Sequence, residues 1–126
     1  MEIICLDLEG VIIPEIWINV AEQTGIDSLR ATTRDIPDYN DLMQQRLQIM
    51  NENNLGLSIV QEVINTLNPL EGALEFLDNL RKNFQVVILS DTFYEFAEPF
   101  MRKLNRPTLF CHRLETDTHG KIINYH

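Results

Sequence analysis

Hydrophobic residues occur along this chain in two kinds of pattern. Short continuous runs bounded by polar or turn residues are typical of buried strands. Such runs fall at 3–8, 86–89 and 108–111. Longer stretches with apolar residues three or four positions apart are typical of amphipathic helices. Such stretches fall at 14–24, 38–50, 58–68, 72–84 and 92–104. Two further short segments flank His119 and Gly120 and predict a C-terminal hairpin.

Residues that commonly cap helices mark several of the predicted boundaries. Pro14 suits a first helical turn, Gly25 suits a C-terminal cap, and Asp38 is placed to cap the second helix. Ser58 and Thr92 each begin a four-residue capping-box pattern. We therefore expect these two residues to cap the third and fifth helices.

The order of the elements predicts an α/β fold. Strands separated by helices indicate a Rossmann-like parallel sheet with right-handed crossovers. The helical stretch between the first two strands is longer than one crossover needs. We therefore expect a core formed by residues 1–13 and 69–126, with a small helical cap, residues 14–68, inserted after the first strand.

Composition and charge narrow the classes of function. The chain has 126 residues, of which 44% are hydrophobic and 23% charged, which is typical of one ordinary globular domain. Its formal charge of −9 would repel a phosphate backbone, so we expect no nucleic-acid partner. No apolar run approaches the roughly 20 residues of a membrane span. The first residues carry an acid where a secretory signal would carry lysines, so a cytoplasmic location is expected.

The positions of the cysteines and histidines do not indicate a metal site. Cys5 and Cys111 lie in strand-like apolar runs, and we expect buried free thiols rather than a disulfide or a metal pair. The histidines all lie near the C-terminal end and are expected at the surface. They are His112, His119 and His126.

Polar residues that follow the first two predicted strands form the candidate site. In an open α/β sheet ligands bind beyond the carboxyl ends of the strands, and these ends carry Asp7, Glu9 and Ser90. The two carboxylates face the same side unless the chain turns at Leu8, and paired acids suit Mg²⁺ or a nucleophile with a proton donor. Ser90 is expected just before a helix N-terminus, where free amides could cradle a phosphate. A strand-end turn and plain helix capping are the structural alternatives.

Two segments resemble the first two signatures of haloacid dehalogenase phosphatases. Residues 4–11, Ile-Cys-Leu-Asp-Leu-Glu-Gly-Val, are similar to an apolar strand followed by Asp, any residue, an acid and Gly. Residues 86–91, Val-Val-Ile-Leu-Ser-Asp, resemble the second signature. The helical insert, with the segments 14–17, 32–39 and 89–96, is similar to the phosphoserine phosphatase branch, including its bacterial members that also act as homoserine phosphotransferases. The resemblance covers essentially the whole chain and implies a partial haloacid dehalogenase fold.

The resemblance implies roles for the core residues. Asp7 would be the nucleophile that forms an aspartyl-phosphate, and Glu9 the general acid/base. Both would hold Mg²⁺, Asp7 through its side chain and Glu9 through its carbonyl. Glu9 stands where these enzymes usually have a shorter Asp, so its reach toward a leaving oxygen must differ. Ser90 would hold a phosphate oxygen, and Asp91 would contact substrate or phosphate.

In the cap, the resemblance implies a site for an amino acid. Glu15 would meet the substrate amino group, Tyr39 would form a wall, and Arg46 would bind the carboxylate, a role that suits a guanidinium fork. The implied reaction is Mg²⁺-dependent hydrolysis of phospho-L-serine, or transfer of its phosphoryl group to homoserine, in serine and amino-acid biosynthesis. Both acceptors stay open, and without the resemblance Arg46 would fit an ordinary solvated helix face.

Two later signatures of these phosphatases, a lysine and a Gly-Asp…Asp segment, have no counterpart before His126. The resemblance therefore indicates a truncated chain, and an inactive remnant or fragment is the alternative function. An incomplete sheet would expose the first strand as an apolar edge, through which a homodimer could form. A phospho-signalling receiver domain is disfavoured, because receivers alternate strands with single helices.

Overall fold

The computed structural model describes all 126 residues and shows an α/β fold. Its parallel sheet has the order β1-β2-β3. The strands are β1 (Ile3–Leu6), β2 (Gln85–Phe93) and β3 (Thr108–His112). An antiparallel hairpin follows, formed by β4 (Leu114–Thr116) and β5 (Ile122–Tyr125). The helices are α1 (Ile16–Thr24), α2 (Tyr39–Glu52), α3 (Leu57–Asn65), α4 (Ala73–Arg81) and α5 (Tyr94–Lys103), with a short 3-10 helix at Asp27–Arg30. The predicted fold class is confirmed, whereas the division into core and cap at residues 14 and 68 stays a prediction.

The sheet is buried on one face and open on the other. In the central strand β2, Val86 and Ile88 are buried, whereas Leu89 is 49% exposed. Helices α4 and α5 both pack against β2. Ile3 in β1 and Phe110 in β3 are also exposed, to 58% and 59%. Successive side chains of a strand point to opposite faces, so the open face presents apolar residues from all three strands.

Two predicted helix ends are confirmed. Gly25 ends α1 with a left-handed φ of 73°, a conformation that glycine adopts without steric cost. Asp38 caps α2, because its carboxylate accepts a hydrogen bond from the Asp41 amide at 3.0 Å.

Two other predicted caps are wrong. Helix α3 already begins at Leu57, so Ser58 lies inside it. Thr92 belongs to β2, and α5 begins only after Phe93, which makes no side-chain cap. The physical reason is strand pairing: Phe93 pairs with His112 of β3 beyond an irregularity in β2, and this pairing keeps the chain extended.

The C-terminal hairpin joins the helices of residues 39–65 to the sheet. Ile122 is buried in the main hydrophobic core. The Leu57 amide donates a hydrogen bond to the Gly120 carbonyl at 2.9 Å, and the Tyr125 hydroxyl bonds to the Asn40 side chain. The hairpin therefore holds α2 and α3 near the carboxyl ends of the strands, where the candidate site lies.

The cysteines are less buried than the apolar runs predicted. Cys5 is exposed and Cys111 is half-buried, so the expectation of two buried thiols is wrong. Cys5 lies in an edge strand, beside the open face of the sheet. Burial raises the pKa of the Cys111 thiol to about 12. None of the helices combines the length and the apolar character needed to cross a membrane.

Candidate active site

The chain turns sharply just after β1, and this turn places two acids. The amides of residues 11–13 all donate to the Leu8 carbonyl, at 2.8 to 3.3 Å, and Gly10 has the left-handed φ of 75° that the turn uses. The Leu8 side chain is fully buried. Asp7 and Glu9 lie on either side of the buried Leu8. Although the chain turns here, both acids still line the same cavity.

The cavity has a volume of about 230 Å³ and brings together every predicted site residue. They come from the turn after β1, from the start of α1, from α2 and from the end of β2. They are Asp7, Glu9, Glu15, Tyr39, Arg46, Ser90 and Asp91. The cavity thus unites residues far apart in the chain, and the role of each stays a prediction.

Asp7 is the accessible acid of the site. Its side chain is exposed, and its Oδ1 accepts a hydrogen bond from the Leu8 amide at 2.7 Å. This bond orients the carboxylate while leaving it open to the cavity. An oriented and accessible carboxylate is the group that nucleophilic attack on a phosphoryl group needs.

Glu9 is the protected acid of the site. Its Oε2 accepts a hydrogen bond from the Ile16 amide, in the first turn of α1, at 3.3 Å. Burial raises the pKa of Glu9 above its ordinary value of 4.5, although the Ile16 amide, the nearby Thr92 hydroxyl and the charge of Arg46 act in the opposite direction. Glu9 therefore keeps its proton to a higher pH than an exposed glutamate, as a general acid requires.

Arg46 is buried in α2 rather than solvated. Its side chain is only 8% exposed. The Nη2 group donates to the Ala31 carbonyl at 3.0 Å, and Nη1 points to the Met43 sulfur at 3.8 Å. Its guanidinium carbon lies 4.6 Å from the centre of the Trp17 ring. Burial lowers the pKa of Arg46 to about 10, so the group stays charged at neutral pH.

Glu15 adds a negative charge to the cavity that Arg46 also lines. It lies directly before α1 and is half-buried. Its carboxylate passes close to the turn, since a Cβ atom on Gly10 would lie 3.7 Å from Glu15 Oε1. The two opposite charges suit the two charged ends of an amino acid.

Tyr39 connects α2 to the end of β2. Its hydroxyl donates to the Asp91 carbonyl at 2.8 Å, and its ring stacks on His112 with 5.9 Å between centroids. Burial, with the charge of Asp91 as a second cause, raises the pKa of Tyr39 to about 12. His112 Nε2 lies 3.6 Å from Asp91 Oδ1. His112 therefore lies at the edge of the site, with its side chain 39% exposed.

Ser90 lies in the cavity for a different reason than the one predicted. It belongs to β2, and its hydroxyl oxygen accepts a hydrogen bond from the Thr92 amide at 3.2 Å. Helix α5 begins only at Tyr94, so the expected cradle of helix N-terminal amides directly after Ser90 is wrong. The Ser90 hydroxyl proton is still a possible donor to a ligand oxygen.

Several lining residues carried no predicted role in the site. They are Trp17, Ile18, Thr32, Thr33, Arg34, Leu42 and Thr92. The segment 32–34 matched the family resemblance but carried no chemical assignment, and Trp17 looked like an ordinary apolar position of α1. The structural signal for this side of the cavity is the Arg46 Nε atom, which is buried and has no hydrogen-bond partner.

The acids at the cavity supply a small set of metal-binding oxygens. No three His, Cys, Asp or Glu side chains are grouped to hold a metal ion. Asp7 and Glu9 nevertheless supply two neighbouring acids at the cavity. Mg²⁺ usually keeps several waters and takes one or two carboxylates together with substrate phosphate. The donors present fit a largely hydrated Mg²⁺.

Fold and site together define a class: an α/β protein with an acidic ligand site at the carboxyl ends of its strands, beneath helices. No family model matches the chain. Over 125 residues, 99% of the chain, it is 66% identical to phosphoserine phosphatase ThrH of Pseudomonas aeruginosa. The chain spans 61% of the length of that relative.

Solved structures share the fold. A phospho-aspartyl intermediate analogue of phosphoserine phosphatase matches with a TM-score of 0.78 at 19% identity, over 98% of this chain and 62% of the other. A HAD-family hydrolase from Salmonella enterica serovar Typhi matches with a TM-score of 0.76 at 18% identity, over 99% of this chain and 45% of the other. The chain is thus similar over nearly its whole length to a phosphoserine phosphatase and shares its fold with phosphoserine phosphatases and a HAD-family hydrolase, in line with the resemblance of its two signature motifs.

Proposed function

We propose that the cavity binds phospho-L-serine and that Asp7 accepts its phosphoryl group. The observation that carries this proposal is the meeting of three different groups on one cavity of about 230 Å³. Asp7 is exposed, Glu9 has a raised pKa, and Arg46 is a buried cation. The name of the relative in Pseudomonas aeruginosa, phosphoserine phosphatase, supports the same substrate.

The residues on the helical side would hold the amino-acid end of the substrate. Arg46 would bind the carboxylate and Glu15 the ammonium group, because opposite charges and hydrogen bonds match at each end. Tyr39 would close one side, where its bond to the Asp91 carbonyl fixes it. Ser90 would donate its hydroxyl proton to a phosphate oxygen, and Asp91 would lie beside that group.

The reaction would then proceed in two proton-balanced steps. The Asp7 carboxylate attacks phosphorus, the bond from phosphorus to the serine oxygen breaks, and Glu9 gives its proton to that oxygen. In the second step Glu9 takes a proton from water or from a homoserine hydroxyl. The deprotonated oxygen attacks phosphorus and the bond to Asp7 breaks, which restores both carboxyl groups.

Mg²⁺ fits this site as a cofactor. The Asp7 carboxylate and the carbonyl of Glu9 would hold it, with water in the remaining positions. When bound, the ion would offset negative charge on the transferring phosphoryl group. A homodimer through β1 and a cytoplasmic location stay predictions. The exposed position of Ile3 in this edge strand supports the former.

A second candidate is a domain of the same family that binds its ligand without turnover. Two observations favour it: the cavity lining contains no lysine, and its acids are not grouped in a set of three that could hold a metal ion. The two candidates make opposite predictions about phosphate release.

Phosphate release from L-phosphoserine, measured with and without Mg²⁺, tests the proposal. The 126-residue chain and any longer reading frame that contains it should be compared, each with its Asp7→Asn variant. We expect Mg²⁺-dependent release that Asp7→Asn reduces to background while the far-UV spectrum is unchanged. Adding homoserine and following the products by phosphorus NMR distinguishes the two acceptors.

Each outcome has a defined meaning. Release from the longer frame alone supports the chemistry and shows that the 126-residue chain by itself is inactive. Release that persists in Asp7→Asn contradicts the role of the nucleophile. Absence of release from every form contradicts the proposed function and favours the domain without turnover.

A further inference from the structure

Trp17 is the only tryptophan of the chain, and it is held firmly between the core and the cavity. It is the second residue of α1 and only 8% exposed. Its ring packs edge-to-face against Phe96 of α5, with 5.6 Å between centroids. Phe96 in turn packs against Phe93 at 5.4 Å. The position of the indole is therefore set by the core and not by the ligand site that it lines.

The Arg46 guanidinium lies over this ring without any ion pair. Its carbon is 4.6 Å from the ring centroid, within the range of a cation–π interaction. Its neighbours inside the protein are the Ala31 carbonyl and the Met43 sulfur, both neutral, and Nε has no partner. A buried cation usually has an anionic partner, because losing water is costly. The charge of Glu9 favours the Arg46 cation from a distance without an ion pair, and an aromatic face takes the place of a contacting anion.

We propose that Trp17 is a positioning residue, whose indole holds the Arg46 guanidinium ready for the carboxylate of an amino-acid ligand. The proposal rests on the proposed function for the nature of that ligand. An aromatic ring attracts and orients a cation but does not neutralise it. An acid at the same place would form an ion pair that the incoming carboxylate must break. Trp17 thus prepares Arg46 for binding and reduces the cost of ordering it.

The positioning itself can be measured without any ligand. Protons that lie over an aromatic face resonate upfield, so the side-chain signals of Arg46 should be shifted upfield in the native chain. Arg46→Lys identifies those signals. We expect the shift to be retained in part in Trp17→Phe and lost in Trp17→Leu, which keeps apolar volume but removes the ring. An unchanged Arg46 signal in Trp17→Leu would overturn the proposal.

Ligand binding tests the consequence. Titration calorimetry with L-phosphoserine, and with L-serine and inorganic phosphate as partial probes, should show binding to Trp17→Leu weakened about tenfold. Trp17→Phe should lie between this variant and the native chain. In the native chain, phosphoserine should also change the fluorescence of the single tryptophan, and this change should be smaller in Arg46→Lys.

The NMR shift and the binding titration distinguish failure of the positioning role of Trp17 from failure of the proposed function. If neither the native chain nor any longer reading frame that contains it binds phosphoserine or serine, the proposed function fails, and with it the ligand part of this inference. The upfield shift of Arg46 then decides the positioning part alone. Native-like affinity in Trp17→Leu would overturn the inference while leaving the proposed function intact. Trp17→Leu also changes the packing of the core. Trp17→Phe is the more conservative variant, and its Arg46 shift and its affinity should both lie between those of the native chain and of Trp17→Leu.

Discussion

Glu9 and Arg46 are two charges that the fold partly removes from water and turns toward the same cavity. Burial raises the pKa of Glu9 and lowers that of Arg46, so in both residues the charged form is disfavoured. Their opposite charges favour one another, but no ion pair joins them. Such unfavourable burial with incomplete pairing is common where a protein binds or transforms a charged ligand. At the scale of residues, the cavity therefore has the electrostatics of a functional site.

Replacing Glu9 by Gln should stabilise the folded chain at neutral pH. Because the folded-state pKa of Glu9 is raised above 4.5, its contribution to stability is complete below that pH. It is lost as the pH rises through the folded-state pKa, since the buried group must then ionise. Gln cannot ionise. The variant should therefore gain stability over the native chain at pH 7 and show no such gain at pH 4.

Urea unfolding at the two pH values measures this difference. Glu2→Gln is the matched control, because Glu2 is exposed and the substitution removes the same single charge. If Glu9→Gln and Glu2→Gln change the free energy of unfolding equally at pH 7, then burial does not destabilise the ionised form of Glu9.

Helix α2 is the element that presents the side of the cavity that we propose to hold the amino-acid end of the substrate. It begins with Tyr39 and carries Arg46 two turns later. The Asp38 carboxylate binds the Asp41 amide and fixes the first turn. Capping interactions of this kind stop a helix end from fraying. The placement of Tyr39 on the Asp91 carbonyl thus depends on an exposed side chain outside the cavity.

Asp38→Ala should destabilise the chain by about 1 kcal/mol, because the Asp41 amide loses its acceptor. Asp38→Asn keeps an oxygen acceptor and should cost only a few tenths of that amount. The free energy of unfolding from urea titration at pH 7 tests both variants. Equal losses in the two would show that charge, and not the hydrogen bond, is what Asp38 contributes.

Local pattern predicted some helix ends and not others. Gly25 and Asp38 form hydrogen bonds with groups of their own helix. The residues next to each helix end are therefore enough to predict where that helix ends. Ser58 matched a capping pattern equally well, but the helix starts one residue earlier, where the Leu57 amide binds the Gly120 carbonyl. That bond joins distant parts of the chain, and no local pattern records it.

The whole molecule is asymmetric about its sheet. One face is covered by helices, and the other presents Ile3, Leu89 and Phe110. Exposed apolar residues from all three strands lie on this face, and apolar surface of this kind marks an interaction or assembly site. The site cavity lies at the carboxyl ends of these strands, so changes on the open face should leave its geometry intact.

Two phenylalanines on neighbouring elements test this asymmetry. Phe100 in α5 is fully buried, whereas Phe110 in β3 is 59% exposed. Phe100→Ala should lower the free energy of unfolding by about 3 to 5 kcal/mol. Phe110→Thr should cost less than about 1 kcal/mol and should reduce binding of the dye ANS. A loss in Phe110→Thr as large as that in Phe100→Ala would mean that the open face is covered in solution.

The sequence alone determined the order of helices and strands, the parallel α/β class and the resemblance to haloacid dehalogenase phosphatases. Periodicity and strand-end motifs depend on residues close together in the chain, and the family resemblance named the residues that meet in the cavity. Only the tertiary structure decided that Trp17 lies under Arg46, that Tyr39 reaches the Asp91 carbonyl and that Cys5 is exposed. These facts depend on how separate helices and strands pack. Packing brings together residues that are far apart in the chain, and no periodic pattern in the sequence predicts such contacts.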